Sequence, residues 1–290
     1  MTQVHWVIDG LLMERYEGMG GPTLAEAVAS CGHVAHNVRY RPIAQTFDPE
    51  PRLPSEAPVV FYGTLEGLRC IRRVAAASRY GWQPLAFCRE ETLSYAGFVS
   101  SLSSGGVPVL NDDFVLLPVG EIRRRCAMNA RAFLSPFGGT AFIRPNKVTK
   151  TFGARVLTPG NAAFELEAMN AVEIVADDEI AVVASVKDVG AEYRFVIANG
   201  KVVAGSQYQT NGELDICPDV AMHARSVANH VARLPWQADT VYVCDVGTHH
   251  AEAKVVELNS FSCAGLYACD TVSIVEAVSA AAIREFEGSD

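Results

Sequence analysis

Over its first 115 or so residues the chain alternates short apolar runs with helical patterns, and this alternation constrains the fold more than any other feature. HWVID at 5–9, HVAHNVRY at 33–40, PVVFYG at 58–63, PLAFC at 84–88 and PVLN at 108–111 read as strands. Helical patterns lie between them, from Thr23 to Ser30, through LEGLRCIRRVAAA after Gly63, and from about Glu91 to Leu102. Parallel strands need long crossovers, so such alternation predicts a parallel sheet covered on both faces. This half has no GxGxxG after a strand and no GxxxxGK followed by Ser or Thr, so neither a dinucleotide fingerprint nor a P-loop is expected there. GMGG at Gly18–Gly21 reads as a simple turn, with an anion site at the following helix as the alternative.

From about residue 137 the pattern changes. TAFIRP, RVLTP, EIAVVASV, EYRFVIANGKVVAGSQYQ, TVYVCDV and AKVVELN are β-rich, and helical patterns appear only near 162–171, 218–233 and 273–286. In FVIANGKVVAG, Asn199 and Gly200 supply the two positive φ angles of a type I′ turn, which predicts a hairpin. The expected class is therefore α/β followed by α+β. We expect an α/β domain over 1–118 and an α+β domain over 119–290, the latter in subdomains of about 119–186 and 187–290.

Hydrophobic residues at 49% and charged residues at 20% are ordinary for a globular chain. A formal charge of -9 opposes binding to nucleic-acid phosphates or an anionic membrane, so neither partner is expected. Arg123, Arg124 and Arg125 form a basic run that reads as a solvated helix face. The cysteines at 31, 70, 88, 126, 217, 244, 263 and 269 form no CxxC pair, and most read as small buried hydrophobes in a reducing compartment, here the cytoplasm. Asp9, Glu14 and Arg15 interrupt the N-terminal segment, which reads as neither a signal peptide nor a membrane span.

Two apolar strands near the end of the chain carry unusual polar residues. If VYVCD and VVELN form a hairpin turning near Ala251, Asp245 and Glu257 come opposite each other, about 5 Å apart. Asn259, two residues past Glu257, shares its face. Carboxylates held that close need a proton or a cation, and hard oxygen donors suit Mg²⁺; exposed strand ends are the alternative. His249 and His250 fall on the expected turn, so zinc is not favoured. Upstream, Arg144 lies in the strand FIRP, and Lys147, Lys150 and Arg155 surround Gly153 in a small basic loop that could cover phosphates or simply be solvated. In AEYRFVI, Glu192, Arg194 and Val196 alternate onto one face. An ion pair within the strand is one account; an Arg194 aimed at a transferred phosphoryl group is the other.

The order FIRP, KTFG, AVVASVKD, EYRFVIANGKVVAGSQYQ, Asp245 and ELN resembles the ATP-grasp superfamily over roughly 130–275, most of all its bacterial and phage clade named for an arginine and lysine signature. The resemblance implies a pre-ATP-grasp domain followed by two subdomains clasping ATP, and an Asp with a Glu-x-Asn motif that binds magnesium, matched by Asp245, Glu257 and Asn259. It implies phosphate contacts from Arg144, Lys150 and Gly153, an adenine hinge at Ala184–Lys187 including Ser185, Val186 and Lys187, nucleotide contact by Glu192, and a catalytic Arg194 beside Arg144 and Lys150. Ser206, Tyr208, Tyr267 and Asp270 are candidate substrate contacts. Arg144 departs from the lysine many relatives carry, and Ser206 and Tyr208 stand where glutamate ligases have an arginine. The implied reaction joins a small-molecule, peptide or protein carboxylate to an amine through an acyl phosphate, with ATP and Mg²⁺ as cofactors. A non-catalytic nucleotide-binding regulator and an ATP-grasp phosphotransferase are the alternatives. A homodimer is left open. Cys263 lacks a base partner and reads as structural.

Overall fold

The computed structural model describes residues 2–13, 21–54, 56–77 and 84–288. Most of the Gly18–Gly21 stretch lies outside the described residues. The chain divides into two compact units, one of 1–89 with 189–290 and one of 90–188.

The first unit begins with β1 (His5–Asp9), α1 (Gly10–Met13), α2 (Leu24–Ser30), β2 (Val34–Arg41), β3 (Thr46–Asp48), β4 (Val59–Tyr62) and α3 (Leu65–Ala77). β1 pairs in parallel with β2 and with β4, as the alternation predicts, and β3 adds an antiparallel edge, giving the order β3-β2-β1-β4. A capping box starts α2, in which the Thr23 hydroxyl accepts from the Glu26 amide at 3.2 Å and the Glu26 carboxylate accepts from the Thr23 amide at 2.8 Å. Asp9, fully buried at the end of β1, ties the strand ends together by accepting from the amides of Tyr40 at 3.0 Å and Thr64 at 3.3 Å. Two expected strands differ. PLAFC makes a single parallel bridge, Val60 to Leu85, because Leu85 takes φ 58° and leaves the extended region. PVLN forms no strand; Val109, Leu110 and Asn111 are buried as a loop against the helix that precedes them, Tyr95–Ser104, whose Tyr95 hydroxyl donates to the Asn111 carbonyl at 3.2 Å.

The second unit contains α4 (Tyr95–Ser104), β5 (Val115–Pro118), α5 (Val119–Leu134), β6 (Ala141–Pro145), β7 (Arg155–Leu157), α6 (Ala162–Val172) and β8 (Ile180–Ser185). Its sheet runs β5-β8-β6-β7, all antiparallel, with Ile143, Val183, Leu166 and Met169 among its buried core residues.

The chain then returns to the first unit with β9 (Ala191–Ala198), β10 (Lys201–Thr210), β11 (Glu213–Cys217), α7 (Met222–Arg233), β12 (Val241–His249), β13 (Glu252–Ser260) and α8 (Thr271–Phe286). These strands form a five-stranded antiparallel sheet, β11-β10-β9-β12-β13. Asn199 at φ 52° and Gly200 at φ 70° make the predicted two-residue turn. One face of this sheet packs Val196, Ala198, Val241 and Val243 into a core shared with Trp6, Val60, Tyr62, Ile274 and Val278. Phe261 sits at the centre of that core, its ring 5.6 Å from Tyr62, 6.3 Å from Trp6 and 6.4 Å from Phe87. Among the described residues no helix is long and apolar enough to cross a membrane.

Phe261 is fully buried among three aromatic rings. Phe261→Ala is expected to lower unfolding free energy by about 3–5 kcal/mol through lost burial and an unfilled cavity. Urea denaturation checks this, and a loss below about 1 kcal/mol would contradict the packing described.

Candidate functional site

The apolar face of the five-stranded sheet becomes charged toward one end. Register places Ser206, Arg194, Asp245 and Glu257 in one cross-strand row over β10, β9, β12 and β13. The pairing of Asp245 with Glu257 is the one expected from sequence, reached by another route. His249 pairs with Glu252 across a tight turn at His250 and Ala251, and Val246 pairs with Val255, so Asp245 would face Val256 in an unbroken ladder. A bulge at Val256 advances the register by one and puts Glu257 opposite Asp245. A second bulge, at Tyr208, places consecutive residues of β10 against one acid. The Tyr208 hydroxyl donates to Glu192 Oε2 and the Gln209 amide to Glu192 Oε1, both at 2.7 Å.

Arg194 is the centre of the row. Its Nε and Nη2 donate to the two oxygens of Asp245 at 2.8 and 2.7 Å, and its Nη1 donates to the Gly265 carbonyl at 2.9 Å. The rings of Tyr208 and Tyr267 stack 4.9 Å apart, with centroids 5.4 and 5.0 Å from the guanidinium carbon. Burial opposes the charge of Arg194, the Asp245 carboxylate more than offsets it, and the guanidinium pKa rises well above its ordinary value. The ion pair considered within β9 does not form; Glu192 instead bonds to Tyr208 and Gln209.

The Asn259 amide nitrogen donates to Glu257 at 2.5 Å and lies 3.4 Å from Asp245 Oδ2. A donor therefore bridges two carboxylates, in the role a cation would take. Burial pushes the Glu192 carboxyl up, and the charges of Asp245 and Glu257 push it further, against the two hydrogen bonds that lower it. These acids repel one another even with Arg194 in place. Among the described residues there is no cluster of three or more His, Cys, Asp or Glu that could hold a metal, so any divalent ion here would rely on Asp245, Glu257 and the Asn259 amide oxygen. Their hard oxygens and residual repulsion fit magnesium, and a carboxylate has lone pairs to spare beyond those Arg194 occupies.

Ser206 is fully buried; its hydroxyl lies 2.6 Å from the Gln207 carbonyl and 3.1 Å from that of Cys217, its one proton serving either, and accepts from the Ala268 amide at 3.2 Å, fixing the segment that carries Tyr267. Asp270 caps α8 by accepting from the Val272 amide at 3.1 Å and the Ser273 hydroxyl at 2.6 Å. Both side chains are thus engaged in holding the backbone. His249 and His250 lie side by side on the β12–β13 turn, with ring centroids 4.1 Å apart and planes tilted by 46°. Burial pushes the Cys263 thiol well up, which leaves it a poor nucleophile.

The remaining expected positions lie in the second unit. Arg144 is buried in β6 with its guanidinium carbon 4.9 Å from the Tyr95 ring centroid. In the basic loop, Lys147 bonds to Glu179 at 2.8 Å, Arg155 pairs with Glu165 and Glu173, and the Gly153 amide donates to Glu173 at 3.0 Å. Lys150 is exposed at φ 44°, a conformation that turns the loop there. At the end of β8, Ser185 donates to Asp113, Lys187 donates to Ser185, and Lys187 pairs with Asp113 at 2.9 Å, while Val186 stays 40% exposed. Sequence reasoning passed over Asp113, Gln209, Gly265 and Tyr95. Only Asp113 carries a signal in sequence, in the acidic NDDF after an apolar run.

The fold is that of ATP-grasp proteins. The chain is similar to D-cycloserine synthetase DcsG at 15% identity and TM-score 0.60, covering 96% of this chain and 99% of that one. It is similar to D-alanyl-alanine synthetase A from Vibrio cholerae O1 biovar eltor at 12% identity and TM-score 0.56, covering 99% and 98%. It is also similar to the ATP-grasp ligase PsnB complexed with minimal precursor, Mg and ADP, at 13% identity and TM-score 0.53, covering 96% and 97%. At such identities the likeness is one of fold. Comparison with curated proteins gives no match. The family model that matches describes the ATP-grasp domain of the clade named for its arginine and lysine signature, family 2. It matches residues 123–277, more than half of the chain, and the protein belongs to that family. It is thereby placed among ATP-grasp ligases, which use ATP to form amide bonds.

Asp245→Asn is expected to cost about 3–5 kcal/mol, because it strips a buried guanidinium of its counter-charge. The apolar pair Arg194→Met with Asp245→Leu should recover most of that loss. Glu257→Gln leaves the Arg194 guanidinium with its bonds to Asp245 and Gly265 and keeps an oxygen to accept from Asn259, so it should change stability by less than about 1 kcal/mol. Equal losses for Asp245→Asn and Glu257→Gln in urea titrations would contradict the central place of Arg194.

Proposed function

We propose that the protein is an ATP- and Mg²⁺-dependent carboxylate–amine ligase that works through an acyl phosphate on an amino acid, peptide or protein substrate. The observation that carries this reading is the row of Arg194, Asp245 and Glu257 with the Asn259 amide beside it, an oxygen-rich cluster built around a fixed, charged guanidinium. Family membership and a structural relative whose description includes Mg and ADP support the same nucleotide chemistry.

In this account Asp245, Glu257 and Asn259 hold magnesium, which supplies neutralising charge to the nucleotide phosphates when bound. Arg144, Lys150 and the loop at Gly153 contact phosphates, and Ser185, Val186 and Lys187 contact the base. The substrate carboxylate oxygen attacks the γ-phosphorus, and the bond from phosphorus to the ADP oxygen breaks. The amine then attacks the acyl carbon, phosphate leaves, and the amine proton passes to solvent or phosphate. Arg194 stabilises the negative charge that develops on the transferred group and on the tetrahedral oxygen. Its orientation is fixed before substrate arrives, since Asp245, Gly265 and two tyrosine rings hold it. Ser206 and Asp270 position the segment bearing Tyr267, which with Tyr208 forms the aromatic wall offered to substrate.

The reading is tested by ADP release in the presence of ATP and magnesium against a panel of amino acids and short peptides, with mass spectrometry of products. A product lighter by one water than its two substrates combined is expected. A phosphorylated acceptor that persists would contradict it and favour a phosphotransferase. For the productive pair, Arg194→Lys should lower kcat at least about a hundredfold, in the range seen when one transition-state donor is lost.

A further inference from the structure

The Arg123–Arg125 run takes no part in the proposed chemistry, yet it borders a formed groove. Val115, Leu117, Met128 and Phe133 line an apolar groove of about 560 Å³ between β5 and α5, with Arg124 and Arg125 at its rim. Such a volume accommodates one or two large side chains. α5 is interrupted at Asn129, where φ is -165° and ψ 91°, and the Asn129 side chain accepts from the Ala132 amide at 3.0 Å, restarting the helix beside the groove. Met128 is thereby left 73% exposed, and Val115 and Leu116 are 43% and 42% exposed.

Two independent features say what would cover this surface. β5 pairs with β8 along one side, from Val115–Val183 to Pro118–Ile180, and is the edge of its sheet, so its outer amides and carbonyls suit an added extended strand. Val115 and Leu117, two residues apart, face the groove, so a strand added at this edge would alternate side chains into it. The rim is electropositive. Arg124 and Arg125 both bond to the single carboxylate of Glu121, at 2.7 and 2.6 Å, leaving one guanidinium charge in excess in a protein whose formal net charge is -9. Their hydrogen bonds, that of Arg124 first, hold the Glu121 carboxyl down to about 2, so it stays ionised and the surplus stays at one charge. A second copy paired edge to edge through a two-fold axis would set two such rims against each other, and like charges oppose that arrangement.

We propose that the β5 edge and the α5 groove dock an extended acidic peptide segment of a partner or substrate protein, with an apolar side chain in the groove and a carboxylate on Arg124 and Arg125. This surface is separate from the residues assigned to nucleotide and metal, and the proposal stands whether or not the ligase reading does.

Fluorescence anisotropy with a blocked, labelled octapeptide of alternating Leu and Glu tests it on the full chain, beside the same peptide with Lys in place of Glu. The Glu peptide should bind at least about tenfold more tightly, weaken with salt, and slow amide exchange at 115–117. Two variants address the two halves of the surface, the charge reversal Arg124→Glu with Arg125→Glu and the groove-filling Ala132→Trp. Each should weaken binding about tenfold or more while the variant keeps a single cooperative urea unfolding transition, which shows that it stays folded. Equal affinity for the two peptides, parental binding in both variants, or no binding at millimolar peptide would overturn the proposal. So would a dimer in solution that these variants abolish, which would make a second copy the occupant.

Discussion

The buried pair of Arg194 and Asp245 is the interaction on which the rest of the first unit's polar face depends. A guanidinium taken largely out of water is tolerated only with its charge and its donors met, and here Asp245 meets two donors and the Gly265 carbonyl a third. That requirement fixes the register of β9 against β12, draws the 264–268 segment over the sheet, and sets Tyr208 and Tyr267 against the cation. The same face is ordinary apolar core a few residues away, at Val196 and Val243. Burial there supplies the rigidity, and the ion pair uses it to hold a charge in a defined orientation.

Local breaks in the ladder give the face its composition. A strand alternates its side chains strictly, so two acids and an amide reach one patch only where register and parity agree. The bulge at Val256 turns Glu257 toward Asp245, and the bulge at Tyr208 sends both its hydroxyl and the Gln209 amide to Glu192. Gly247, opposite Glu192 on β12, keeps space open, because a Cβ there would stand 2.7 Å from Val189 and 2.9 Å from Val256.

Much of this was legible in the sequence where the information is local. Asn199–Gly200 announces its hairpin, the strand and helix alternation announces parallel β1, β2 and β4, and counting outward from Ala251 pairs Asp245 with Glu257. That count succeeded because the shift of half a residue in the turn and the extra residue at Val256 compensate, a coincidence no pattern reveals. Non-local choices were not legible. Arg194 could pair with Glu192 on its own strand or with Asp245 some fifty residues on, and only tertiary register decides for Asp245. β5 joins a sheet with β8 across more than sixty residues, and PVLN, apolar enough for a strand, is buried as a loop under Tyr95. Asp113 beside Ser185 and Lys187 was missed for the same reason.

The claim that the Asp245, Glu257 and Asn259 cluster holds a magnesium nucleotide is tested most directly by calorimetric titration of a non-hydrolysable ATP analogue, with and without magnesium, into the parent protein and Glu257→Gln. The account predicts that magnesium tightens binding at least about tenfold in the parent, an effect of about 1.4 kcal/mol or more, and that the variant loses this gain while still binding the analogue. Equal magnesium dependence in the two proteins would contradict it and place the metal elsewhere.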